Sequence, residues 1–191
     1  MKAVIYAVCA LSILICTASA AHPQGPVDIT TRIENPTNLD ALAKALVKEG
    51  NFRQAVKAYQ KLVELYPGDP ELYIDLSRCQ IELREYDKAV EAARVAVRLS
   101  PGDQAARNNL GWGLLSQGNI EEGSAELRIA VSLDPNAEPV RTNLAIALLK
   151  LGRDGEAIAE LKAALALDPY SKRARLTLAF ALERAGRFVL A

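Results

Sequence analysis

The chain has 191 residues, half of them apolar but only 5% aromatic, and its 23 lysines and arginines balance 23 aspartates and glutamates. A formal net charge of zero leaves no basic excess to neutralise a nucleic-acid backbone or an anionic membrane, so neither is an expected partner. Few aromatics beside abundant alanine and leucine favour closely packed helices over β-sheet, and the length suffices for one domain with a real core.

Residues 1–20, MKAVIYAVCALSILICTASA, differ in kind from the rest of the chain. Lys2 supplies a positive start, residues 3–15 are an uncharged apolar run, and Ala18, Ser19 and Ala20 form a small-x-small pattern. That is the layout of a secretory signal peptide, with cleavage expected before Ala21 and, as second choice, before His22. The rival reading is an uncleaved membrane anchor, because no charge falls between Ala3 and Ala21. That span is near the lower limit for crossing a bilayer, and the small residues at its end favour cleavage. A lipoprotein would need a small residue before its cysteine, and Ile15 precedes Cys16. The expected mature protein is therefore exported and free of the membrane: periplasmic in a bacterium, otherwise secreted.

Cys9 and Cys16 would leave with the signal, so Cys79 alone remains and no internal disulfide can form. Cys79 lies in a helical pattern among apolar neighbours and is expected as a buried thiol rather than an intermolecular bridge. Residues 21–35 open with AHPQGP and read as a flexible linker.

From residue 36 a period of 34 governs the chain. Pro67, Pro101, Pro135 and Pro169 are spaced by it, and so are Leu42, Leu76, Leu110, Leu144 and Leu178. A small residue follows each leucine: Ala43, Ser77, Gly111, Ala145 and Ala179. Gly50, Arg84, Gly118, Gly152 and Gly186 share a third register, and Ala55, Ala89, Gly123, Ala157 and Ala191 a fourth. Within a unit, Leu39, Leu42, Ala43, Leu46 and Val47 follow helical periodicity, which predicts a first helix over 38–48. Gly50 fits a left-handed cap, a second helix is predicted over 52–65, and Pro67 ends it. Each unit is thus a pair of antiparallel helices, and the proline marks the seam between pairs.

This pattern resembles the tetratricopeptide repeat family, most clearly in NNLGWGLLSQGNIEEGSAELRIAVSLDP of the third unit. The resemblance covers residues 36–191 and implies an all-α, right-handed α-solenoid of about four and a half units: 36–69, 70–103, 104–137, 138–171 and a partial 172–191. Three departures stand out. The family's tryptophan register holds Leu39, Tyr73, Arg107, Arg141 and Arg175; Leu62 replaces a small residue; and Asp154 stands where a large apolar residue packs, which predicts a loosened fourth hairpin.

The resemblance further implies a protein-interaction scaffold whose first helices line a concave surface that holds a peptide or a segment of another protein. One register facing that surface reads Ala41, Asp75, Asn109, Asn143 and Thr177; another reads Lys44, Arg78, Trp112, Ile146 and Phe180. Asn109 and Asn143, with Asn108 beside them, offer amide donors and acceptors to an extended backbone; the alternative is that they bond to the neighbouring unit. Trp112, Ile146 and Phe180, with Leu115, Leu149 and Leu176, either form an apolar floor for a partner or pack between adjacent first helices. Arg78 and Arg173 are candidate partners for acidic groups on a ligand. The family's clamp for a terminal carboxylate is not met, because Asn108, Trp112 and Thr177 occupy three of its registers.

The end of the chain is a second candidate surface. Leu178, Leu182, Phe188, Val189 and Leu190 are there to be covered, either by the fourth unit or by a second copy in a self-associating assembly. Catalysis is not expected. The only histidine, His22, lies in the linker, which removes most histidine-based metal sites and nucleophilic triads, and no strand precedes a phosphate loop. No cofactor or metal is expected.

Overall fold

The computed structural model of the chain describes residues 36–186, so the signal segment, the linker, and Phe188 to Leu190 lie outside the described residues. Nine helices succeed one another in this stretch: α1 (Pro36–Lys48), α2 (Phe52–Leu65), α3 (Pro70–Glu82), α4 (Tyr86–Leu99), α5 (Gln104–Gln117), α6 (Ile120–Leu133), α7 (Glu138–Lys150), α8 (Asp154–Leu167) and α9 (Lys172–Arg184). No strand occurs among the described residues. The fold is an all-α repeat solenoid; α2 has the predicted bounds, while α1 ends at Lys48 as predicted but starts two residues earlier, at Pro36.

Each first helix stops in the same way. Gly50, Arg84, Gly118 and Gly152 all have positive φ, from +59° at Arg84 to +94° at Gly118. The two hydrogen bonds of a Schellman motif recur around them: Gly118 N–H donates to Leu115 O and Asn119 N–H to Leu114 O, and the same pair recurs at residues 50–51, 84–85 and 152–153. Helix starts are capped more variably. Asp69 accepts from Glu71 N–H, Asp103 from Ala106 N–H and Ser171 from Ala174 N–H.

Small residues set how closely the two helices of a unit approach. Ala43, Ala55, Ala89, Ala145 and Ala157 are fully buried where the helices cross. The third unit has glycine at both crossing registers, and the backbones come nearer there. A Cβ on Gly123 would lie 2.7 Å from Gly111 O and 2.9 Å from Leu115 N. Around these crossings Leu39, Tyr59, Leu62, Leu114, Leu127, Leu148 and Leu161 are almost wholly removed from water, each contributing on the order of 1.5–3 kcal/mol of transfer free energy.

Polar departures from the family pattern are absorbed by specific bonds. Arg107 and Arg141, in the tryptophan register, each reach two places. Their Nη1 atoms meet Glu126 at 2.7 Å and Glu160 at 2.6 Å on the second helix, while their Nε–H groups donate to the seam carbonyls of Pro101 and Pro135. The fourth hairpin is not loosened as expected: Asp154 forms an ion pair with Arg184 at 3.0 Å, and Arg184 Nη1 donates to Leu149 O. The contact to Asp154 is electrostatic, without hydrogen-bond alignment at Oδ1. A charge at the head of α8 is thus held by a cation from the last helix. Cys79 is a buried free thiol, as its surroundings in the sequence predict, and burial pushes it up to about 11.

Candidate functional site

First helices of neighbouring units touch, so α3, α5, α7 and α9 present one continuous face. Two hollows open on it. The larger, about 510 Å³, is lined by six of the eight residues singled out from sequence: Arg78, Asn108, Asn109, Trp112, Asn143 and Arg173. Glu82 and Arg84, at the end of α3, complete its charged wall. The other two, Ile146 and Phe180, line an adjacent hollow of about 480 Å³ with Leu149, Leu176 and Arg184.

The amides divide into two kinds. Asn109 is buried, and its Nδ2 donates to Ile74 O at 3.1 Å and Ser77 Oγ at 2.9 Å, both on the preceding unit. That donor is committed to stacking, the alternative the sequence left open, with Ser77 supplying one of its two partners. Asn143 is 6% exposed and donates from Nδ2 to Asn108 Oδ1 at 2.8 Å, but its Oδ1 is buried without a hydrogen-bond partner among the described residues. A buried acceptor left unpaired costs about 1–3 kcal/mol.

The arginines differ as well. Arg78 pairs with Asp75 at 2.6 Å, and Asp75 also accepts from the Tyr59 hydroxyl at 3.0 Å. Together, burial and the Asp75 carboxylate hold the Tyr59 phenol well above its ordinary value. Arg173 instead lies over the Trp112 ring, 4.8 Å from its centroid, bridging the third and fifth units. Its side chain is exposed by area, yet protein around the guanidinium disfavours the charge, opposed by Glu138, and its pKa falls below the ordinary arginine value. Arg84 and Arg173 make no ion pair with a carboxylate among the described residues.

The apolar candidates also separate. Trp112 and Ile146 are partly buried against the core, while Phe180 is 52% and Leu176 73% exposed. Leu115 and Leu149 are core residues, so only Leu149 reaches the hollow and Leu115 does not belong to an open floor.

A third hollow, about 510 Å³, escaped sequence reasoning. It is lined by Asp40, Asp69, Glu71 and Asp75 with Lys44 and Tyr66. These carboxylates come from α1, the α2–α3 turn and α3, and no single register announces them. Lys44 is raised above its ordinary value, first by its hydrogen bond to Asp40. Neither these carboxylates nor any other three histidine, cysteine, aspartate or glutamate side chains among the described residues stand close enough together to hold a metal ion, and no helix there is long and apolar enough to cross a membrane.

Known proteins share this fold. The chain is similar to the crystal structure of TTC0263, a thermophilic repeat protein of Thermus thermophilus, at 24% identity, with 80% of this chain and 84% of that one covered and a TM-score of 0.70. It is similar to the crystal structure of MamA protein at 20% identity, covering 80% and 83%, TM-score 0.69. It is also similar to MamA from Desulfovibrio magneticus RS-1 (41 to the end) at 18% identity, covering 82% and 88%, TM-score 0.71. No curated protein matches. The family signature described as Tetratricopeptide repeat matches residues 41–104, 108–172 and 142–191, well over half of the sequence. The chain belongs to the tetratricopeptide repeat family.

Proposed function

We propose that this protein is an exported interaction scaffold whose first-helix face is a groove for a peptide or a segment of another protein. In this reading residues 1–20 direct export, and the partner belongs to an envelope, pilus or secretion assembly. The observation that carries the groove is convergence: six residues scattered from Arg78 to Arg173 line one hollow, and Ile146 and Phe180 line the next. Solenoid stacking does not require an arginine over Trp112 or an exposed phenylalanine at 180, so these side chains are free to serve a ligand.

Affinity capture from a native envelope or secretion extract, read by mass spectrometry, tests it. The variant Arg173→Glu with Phe180→Ser changes two exposed side chains and should keep helical content and thermal stability. A partner captured by the wild type and lost by this variant is the expected result. An identical partner set on a folded variant overturns the groove.

A second reading, self-association through the last helix, has one specific observation in its favour. Ala179 is exposed, whereas Ala43, Ser77, Gly111 and Ala145 in the same register are buried, and Tyr170 nearby is also open. Concentration-dependent sedimentation of the pure protein supports that reading; a monomer across the range removes it.

A further inference from the structure

We propose that the open face of α9 receives a helix of another protein that carries, in succession, a glutamate, a small residue, any two residues, a second glutamate and a leucine. This surface lies apart from the groove. Arg175, Leu178, Ala179 and Leu182 follow i, i+3, i+4, i+7 spacing along one face of α9, whereas Leu176, Phe180 and Arg184 line the apolar hollow from another.

The charge pattern comes from the units whose two helices are both described. Two arginines seat α6, one on the second helix before it and one on its own first helix. Arg94 meets Glu122 at 3.0 Å, and Arg107 meets Glu126 at 2.7 Å. One repeat later α8 is seated likewise: Arg128 meets Glu156 at 3.1 Å, and Arg141 meets Glu160 at 2.6 Å. The contrast is α4. Gln60 and Tyr73 stand at the two arginine registers before it, and α4 has Lys88 and Ala92 at the glutamate registers. Paired cations in this chain thus precede paired glutamates, and where the first are missing so are the second. Lys162 and Arg175 occupy the cation registers once more, yet neither makes an ion pair among the described residues, where no helix follows α9.

The apolar part of the seat is open as well. In α6 and α8 the residue after the first glutamate, Gly123 or Ala157, is buried where the helices cross, and the leucine after the second, Leu127 or Leu161, is wholly buried. On α9, Ala179 is exposed, and Leu178 and Leu182 are only partly buried, whereas Leu144 and Leu148 at the same registers of α7 are buried. Leu190 stands at the next first-glutamate register, so residues through 191 do not supply that carboxylate. The two helices of this chain that carry the pattern, α6 and α8, are already packed into the solenoid, which disfavours a second copy as the occupant.

The two glutamates are unequal. The Arg107 and Arg141 pairs are about four-fifths buried, while the Arg94 and Arg128 pairs are about half exposed. Arg175 also donates to the seam carbonyl of Tyr170, as Arg107 and Arg141 donate to those of Pro101 and Pro135. Its guanidinium is therefore placed before the partner arrives, which lowers the ordering cost of binding. The second glutamate, opposite Arg175, carries the larger share.

The test uses the chain from residue 21 onward and, as probe, a labelled peptide blocked at both ends that copies α8, Asp154–Leu167. Binding is read by fluorescence anisotropy. The probe should bind, Glu160→Gln in the peptide should weaken it about tenfold, and Glu156→Gln about threefold or less. Ala157→Leu in the peptide should remove binding, because a larger side chain there holds the two backbones apart. On the protein, Arg175→Glu should make the Glu160→Lys peptide the better ligand, and Ala179→Leu should block every peptide. Both residues are exposed, and unchanged circular dichroism and urea midpoint verify that the variants fold. No binding of the probe at about 1 mM overturns the proposal. So does equal binding of the glutamate and glutamine peptides, or undiminished binding to the Ala179→Leu protein. A protein that self-associates through Ala179 and is not dissociated by the probe overturns the choice of occupant, and the face then belongs to a second copy. None of these results bears on the groove, whose variant alters Arg173 and Phe180.

Discussion

Substituting Gly123 by alanine sets two effects of opposite sign against each other. In a helix interior the change removes backbone freedom from the unfolded chain and favours the helix by about 1 kcal/mol. The new Cβ, however, would stand 2.7 Å from Gly111 O and 2.9 Å from Leu115 N, both main-chain atoms of α5 that no rotamer change can move. Relief requires α5 and α6 to part by several tenths of an ångström along their crossing, weakening contacts at Leu114 and Leu127, which are wholly buried. Overpacking of this kind costs about 1–3 kcal/mol, and backbone neighbours place it toward the upper part of that range. The net expectation is a loss of about 1–2 kcal/mol, read as a lower urea midpoint by circular dichroism. Because α5 carries Asn108 and Trp112, the same displacement should alter Trp112 emission before the chain unfolds. Gly155→Ala is the matched comparison: its Cβ would meet nothing within 4 Å, so it should be neutral or stabilising by about 0.5 kcal/mol. Gly123→Ala as stable as Gly155→Ala would refute the argument that close backbone approach governs this crossing.

Three further outcomes rest on single residues. Gln80 occupies a register held by Leu46, Leu114 and Leu148, and its Oε1 is buried without a partner; Gln80→Leu should raise the urea midpoint by the equivalent of about 1 kcal/mol. Arg84 is the one non-glycine in the left-handed cap series, at φ +59°, so Arg84→Gly should stabilise by about 1 kcal/mol despite loosening the unfolded chain. The Cys79 thiol, raised to about 11 by burial, binds its proton more tightly folded than unfolded; its contribution is intact below about 9 and is lost as pH rises from there to about 11. At pH 8 a thiol-specific reagent should therefore label Cys79 only at the rate of unfolding, and fast labelling of the native protein would contradict its burial.

How much of this was legible in sequence depended on range. The hairpins were, because a Schellman cap at Gly50 or Gly152 and a proline at each seam are local signals repeated without a gap. Convergence of Arg78, Asn143 and Arg173 on one hollow was legible only through the resemblance, which supplies the curvature that periodicity lacks. The fate of each amide was not legible. Asn109 and Asn143 share a register, yet the first is bound to Ile74 and Ser77 and the second keeps an unpaired oxygen, a difference made by residues some 35 positions earlier. Asp154 misled for the same reason: its partner, Arg184, lies thirty residues later on the last helix, beyond the reach of any local signal.

The central claim is that a partner lies along the first-helix face, and a photo-crosslinking residue placed there tests it most directly. One variant carries the probe at Phe180, on the wall of the apolar hollow, and another at Leu133, an exposed leucine at the end of a second helix. Illuminated in the native compartment, the Phe180 probe should yield a crosslinked partner protein that the Leu133 probe does not. A partner captured from Leu133 alone, or only a second copy of the chain from Phe180, would contradict the account.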